Sequence, residues 1–312
     1  MKPRLLPDVR FLPSEAGLSV RGPGHEAALH APGLYPWFER VCPFLDGEHS
    51  VVDLVEKLSP MAAQRVLGLV EFLLREGFAR DAQYDVPHTL SPATRSLHAS
   101  VIEYLAREAD SPERRFQSYR ECAPVAVGSG RLLTATALAL LATGVGHVRV
   151  HVVAGDEFGE SATDRDSLVE CAKPLLHRDT AARLEFIEGE PRDLPLDVGV
   201  LLYASDRPDQ ARAARMRNLA ARMGVRHGEA IVSADEVLIS QVFVPTGIAA
   251  RATSPATGRP TSRYFGGPTA ALAANQLCLS LLQHTAGLSA LDGDDESGAV
   301  ILDLRTSNFA VV

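Results

Sequence analysis

The stretch that most constrains this chain is Pro124–Val153, "PVAVGSGRLLTATALALLATGVGHVRVHVV". A short apolar run, Val125–Val127, feeds a Gly-Ser-Gly turn. A mostly apolar helical segment, Leu132–Thr143, follows, and a second β-rich run, Val148–Val153, closes the unit. Strand, glycine loop, helix and strand in that order predict one βαβ unit with a right-handed crossover. The C-terminal part is thereby committed to helices packed on a parallel sheet. Gly128 and Gly130 have the spacing of a phosphate cradle, yet Arg131, Leu132 and Leu133 stand where a third glycine would follow. A cation in the first turn opposes the helix dipole unless an anion lies beside it.

Patterning extends the α/β reading to the C-terminus. A strand Val198–Tyr203 precedes a helix Pro208–Met223, where "ASDRPD" offers Asp206 as a cap or as an acid. A hairpin, Ala230–Ser233 with Val237–Phe243, comes next, then an apolar helix Pro268–Thr285 and strands Val300–Leu304 and Asn308–Val311. The acidic loop "LDGDDESG" precedes those strands.

The first 86 residues follow different rules. Three short strands, Val9–Leu12, Leu18–Arg21 and Ala27–His30, are divided by the turn signals "PSEAG" and "GPGH". Three helices follow: Pro36–Leu45, Val51–Leu58 behind a Ser50/Asp53 capping-box start, and Met61–Glu76, opened by Pro60 and stopped by Gly77. This is a small winged-helix-like unit of three strands and three helices. So small a sheet has an unpaired edge, and such an edge can accept a peptide as an added strand. Residues 87–114 read as a helical linker. Ser91 caps a helix opened by Pro92 and running to about Arg107, and a second helix begins at Ser111–Pro112.

Composition narrows the function classes. A formal charge of −8 argues against a general nucleic-acid binder. Cys42, Cys122, Cys171 and Cys278 form no CxxC pair, so no zinc is expected, and scattered thiols without a secretory signal point to a reducing, cytoplasmic setting. The most apolar run, around Leu132–Ala142, is too short to span a membrane. The ten histidines form no HExxH or HxH cluster, and there is no GxSxG elbow. Cys122 and Cys278 read as small core residues, and Cys171 as more exposed.

"LYPWFERVCPFLDGEHSVVDLVEKL" followed by "VLGLVEFLLREGFARD" resembles the PqqD-like RiPP recognition element over residues 7–81. In that family a precursor's leader segment pairs with the third strand, and its side chains pack against the third helix. The resemblance implies that Glu26, Ala27, Ala28, Leu29 and His30 receive the peptide. It places Arg65, Leu69, Phe72 and Arg75 on the groove side of the helix, the two arginines facing acidic leader residues. "VAVGSGRLLTATALALLATGVGHVRV" and "DVGVLLYASDRPDQARAARMRNLAARMGVRH" resemble the Rossmann-like ThiF-type α/β fold over most of 115–312. Together the two halves look like the leader-binding partner protein of azoline-forming cyclodehydratases, the ocin-ThiF-like class.

A working adenylating member of that fold needs a glycine loop, an acid after the second strand, an arginine segment, magnesium-holding acids and often two CxxC pairs. Here Gly128, Gly130, Arg131 and Asp156, or its neighbour Glu157, are the candidates for a nucleotide or other anion. Asp206 is a candidate for the magnesium-side acid, and "SATDRDS" offers only Arg165. The resemblance therefore implies no catalytic residue and no resident cofactor. It implies a substrate-recruiting subunit with a YcaO-type cyclodehydratase as partner, and a homodimer as its possible state. The alternatives are ATP-dependent adenylation by this chain itself and, weakly, a nicotinamide-dependent oxidoreductase.

Overall fold

The computed structural model describes residues 1–22, 24–153, 165–189, 197–207, 209–245, 262–288 and 298–311. It divides into two compact units: Met1–Thr89 with Ala99–Arg114, and Leu90–His98 with Arg115–Val312. The stretch expected to be a linker, 87–114, is thus shared between the two units. The predicted helix Pro92–Arg107 breaks at His98, for a reason given below.

In chain order the first unit carries β1 (Pro3–Leu5), β2 (Arg10–Ser14), β3 (Gly17–Gly22), β4 (His25–His30), α1 (Tyr35–Val41), α2 (Val51–Val55), α3 (Pro60–Arg75) and β5 (Ala79–Asp81). A single 3-10 turn, Cys42–Phe44, extends α1. The reciprocal box at α2 forms as its sequence demands. Ser50 Oγ accepts from the Asp53 N–H at 3.2 Å, and Asp53 Oδ2 accepts from the Ser50 N–H at 2.9 Å. Strands β2, β3 and β4 make an antiparallel sheet in that order, so β4 is an edge. Strand β1 pairs with β5, Arg4 opposite Arg80, in a ribbon too short to leave an alternating pattern in the sequence. Leu18 and Val20 of β3 meet Val66, Leu69, Val70, Phe72 and Leu73 of α3, with Phe38 and Phe78, in one core. Each fully buried side chain of this size contributes about 1.5–3 kcal/mol.

The next elements are α4 (Pro92–Leu97), in the second unit, and α5 (Ala99–Glu108), in the first; α6 (Pro112–Arg120) begins in the first and ends in the second. The second unit continues with β6 (Pro124–Ser129), α7 (Gly130–Thr143), β7 (His147–Val152), α8 (Arg165–Arg178), β8 (Arg183–Phe186), β9 (Val200–Ser205), α9 (Gln210–Met223), β10 (Arg226–Ser233), β11 (Glu236–Ile239), α10 (Gly267–Thr285), β12 (Val300–Asp303) and β13 (Phe309–Val311). Its eight strands run in the order β13-β12-β11-β10-β9-β6-β7-β8. The pairs from β10 to β8 are parallel, and those from β10 to β13 antiparallel.

Helix α9 covers one face, where Val125, Val127, Leu201 and Tyr203 pack on Ala213, Met216 and Ala220. Helix α10 lies on the other, since a side chain at Gly228 would strike Leu277. The sequence reading does not contain α8 and β8. Helix α8 is charged and carries Pro174 inside it, and β8 is only four residues long.

His98 breaks the predicted helix because tertiary bonding claims it. Its ring Nε2 donates to Asp179 Oδ2 at 3.0 Å, and Arg120 grips the same carboxylate through two bonds of 2.6 and 2.9 Å. Burial pushes His98 below its ordinary pKa, although Asp179 pulls the other way.

Candidate functional site

The chain winds from β6 outward to β8, then returns to β9 on the other side of β6 and continues to β10. The carboxyl ends of β6 and β9 therefore flank the point where strand order reverses, which is where open α/β sheets bind ligands. The glycine loop leaves β6 there, and Asp206 follows β9 directly.

Both glycines of the loop are explained by the protein itself. Gly128, at φ +153°, lies against β9: a Cβ there would stand 1.7 Å from the Ala204 carbonyl oxygen. Gly130, at φ +79°, lies against Asp206, whose Oδ2 would be 2.2 Å from an added Cβ. The Asp206 carboxylate also bonds the start of α7. Its Oδ2 accepts from the Arg131 N–H and its Oδ1 from the Leu132 N–H, each at 2.8 Å. These are two of the four orphan donors that a phosphate would use. The anion that the helix dipole calls for is thus built in, and two of the donors at this helix start are already taken.

Sequence reading offered Asp206 as a magnesium-side acid or as a cap of the helix after it. It caps α7 instead, while Asp209 caps α9 by accepting from the Arg212 N–H at 2.8 Å. The Arg131 guanidinium donates to the Phe265 carbonyl at 3.4 Å. Arg165 pairs with Glu188 and covers the Phe186 ring at 5.2 Å. Asp156 and Glu157 lie outside the described residues. No group of three or more His, Cys, Asp or Glu side chains among the described residues is placed to hold a metal ion. Cys122 and Cys278 are buried, and burial raises both thiols, Cys122 to about 12, so neither supplies a thiolate. Cys171 is exposed on α8.

The first unit offers the opposite kind of site. Strand β4 is an edge six residues long, so about half its residues turn their N–H and C=O outward. Glu26, Ala28 and His30 are exposed, while Ala27 and Leu29 lean half-buried onto the core. Hydrogen bonds from Ser19 and Arg21 hold the Glu26 carboxyl below its usual range.

At the far end of β4 the His25 ring bonds the Glu76 carbonyl at 2.7 Å and stacks on Phe78 at 4.5 Å, which brings the strand to the end of α3. Along α3, Met61, Arg65, Gly68, Phe72 and Arg75 recur at steps of four and three and so share one side. Met61 is 70% exposed, and Arg65, Gly68 and Arg75 are also exposed. Leu69 and Phe72, predicted to face a peptide, lie instead in the unit's own core at 1% and 4% exposure. Arg75 rests over Phe72 at 5.7 Å and bonds Glu76, whereas Arg65 has no partner among the described residues.

Gly68 went unnoticed in the sequence. It sits mid-helix with nothing within 4 Å of where a Cβ would be. A glycine there costs about 1 kcal/mol relative to alanine, and no packing among the described residues requires it.

No family model matches the chain, and no curated protein matches it. Solved structures do: Escherichia coli MccB matches at a TM-score of 0.60 and 13% identity, over 100% of this chain and 94% of that one. The fold is that of MccB. PaaA matches at 0.59 and 15% identity, over 97% of this chain and 98% of its own. The microcin C7 biosynthetic enzyme MccB in complex with N-formylated MccA matches at 0.55 and 13%, over 100% and 96%. At these identities the likeness establishes the ThiF- and MccB-like Rossmann-type fold. No helix among the described residues is long and apolar enough to cross a membrane.

Proposed function

We propose that this chain is a non-catalytic leader-peptide-binding subunit of RiPP biosynthesis. It captures a ribosomally made precursor on its first unit and delivers it to a YcaO-type cyclodehydratase. That enzyme spends ATP to cyclise Cys, Ser or Thr side chains onto the peptide backbone. The observation that carries the reading is the open edge of β4 together with the exposed Arg65 on the same unit, which has no partner among the described residues. An extended peptide adds backbone hydrogen bonds to such an edge, and an acidic side chain on it meets Arg65. Holding the leader raises the effective concentration of the rest of the precursor at a partner's active site.

The adenylating alternative draws on the MccB fold, and MccB itself is solved with ATP. Against it stands the carboxylate of Asp206 on two of the four donors that a phosphate would use. The deciding experiment is fluorescence anisotropy with the full chain and a labelled leader peptide from a precursor encoded beside its gene. Saturable binding that ATP neither displaces nor enhances is the expected result. Absence of leader binding, with ATP bound at micromolar concentration, would overturn the proposal in favour of the enzyme.

A further inference from the structure

The side chains of β4 alternate between two faces of its sheet. Glu26, Ala28 and His30 take the outer face and are exposed, while Ala27 and Leu29 take the inner face, half-buried against the core. The inner face is built in rows across the strands. Phe11 of β2 stands opposite Val20 of β3, and Val20 opposite Ala27, so the side chains of this row shrink toward the open edge. Larger residues of β4 stand on either side of it. Leu29 is paired with Leu18, and His25 with Gly22. The His25 ring is held in place, stacked on Phe78 at 4.5 Å with its Nε2 donating to the Glu76 carbonyl at 2.7 Å. The two edges of the sheet also differ. Strand β2 carries Arg10 and Pro13, the kinds of residue that blunt an edge. Strand β4 has no proline, and its one carboxylate, Glu26, is turned onto β3 by Arg21 at 3.0 Å and Ser19 at 2.8 Å.

We infer that Ala27 sets the register of the bound leader. The added strand places one large apolar side chain beside Ala27, in line with Val20 and Phe11, and smaller ones two residues to either side. The inference rests on the leader-binding reading and names the feature of a leader that this unit selects. Strand pairing alone gives affinity without choice, since every peptide offers the same backbone groups; side chains in alternate pockets give specificity. Here the choice falls to the inner row. A large side chain packs where its neighbour is small, and Ala27 is the smallest residue on the inner face of β4. The row runs into the apolar core that holds Phe11, Val20 and Phe38, so an apolar side chain extends it. A slip of two residues, about 7 Å, drives that side chain against Leu29 or the His25 ring. A slip of one turns it to the outer face, away from the core.

The test uses the full chain and the labelled leader, with each large apolar residue of the leader changed in turn to alanine. One such position is expected to dominate binding. Ala27→Leu fills the row and should weaken binding at least about tenfold, whereas Ala28→Leu, one residue away on the outer face, should change it less than about twofold. The leader shortened to alanine at the dominant position should lose far less on Ala27→Leu than on the wild type, the coupling that a direct contact requires. Ala27→Gly cannot clash, so it keeps the test open if Ala27→Leu fails to fold; it should shift preference toward a bulkier residue at that same position. Wild-type affinity in Ala27→Leu, unchanged preference in Ala27→Gly, or a larger loss in Ala28→Leu than in Ala27→Leu each overturns the inference and leaves leader binding standing. A wild-type chain that binds no leader ends both. A wild-type dimer in sedimentation that Ala27→Leu dissociates, and that leader does not, assigns the edge to a second copy and overturns the inference.

Discussion

The β4 edge and the glycine loop are both places where a backbone offers hydrogen-bond donors, and the protein treats them in opposite ways. At the loop, the donors of Arg131 and Leu132 are consumed by Asp206, and both glycines are explained by their close neighbours. Among the described residues, the donors of β4 stay open, Arg65 stays unpaired, and α3 keeps a glycine that its packing does not need. The glycine pattern, which looks more like a site in the sequence, has two of its donors taken internally, whereas the β4 edge has no strand beside it among the described residues.

The comparison breaks most readily at Gly128. If that glycine serves the fold, Gly128→Ala forces a side chain into the Ala204 backbone at a positive φ and costs about 4 kcal/mol or more, read as loss of the second unit's melting transition. A merely phosphate-serving glycine would leave the melt unchanged. Asp206→Ala strips the acceptor from two donors at the start of α7 and costs about 1–3 kcal/mol in denaturant titration. Equilibrium dialysis of the wild type with ATP sharpens the same point, and binding there would reopen the loop.

On the open side, Arg65→Glu is expected to weaken leader binding about tenfold, some 1.4 kcal/mol, with the difference shrinking as salt is raised. Gly68→Ala should stabilise the first unit by about 1 kcal/mol. The same change should also weaken leader binding, since a methyl then occupies space the docked strand uses; stabilisation with unchanged affinity would make Gly68 neutral. The smallest effect concerns pH. Burial lowers the His98 pKa in the fold, so below the unfolded value of about 6.5 the unfolded chain binds the extra proton first. Stability therefore falls as pH drops through that region, and His98→Asn should flatten the dependence of Tm on pH between about 6.5 and 5.

Much of this was legible in the residues because it is local. The Ser50/Asp53 box, the Pro60 helix start and the βαβ unit all form within a few residues of their signals. Helix α8 was hidden by its charge and by Pro174, and β1 with β5 by being three residues each. The break at His98 depends on Asp179, which lies 81 residues away in the chain. Leu69 and Phe72 show helical periodicity but not which side faces the unit's own core.

The sequence by itself determined the βαβ unit, the Ser50/Asp53 box, the Pro60 helix start and the turn at Gly128–Gly130, since each follows from dihedral preference and side-chain period over short distances. Only the tertiary structure decided that Asp206, 75 residues after Arg131, closes that turn. The reason is the parallel sheet: it lays β9 beside β6, so that the carboxylate following one strand reaches the helix that follows the other.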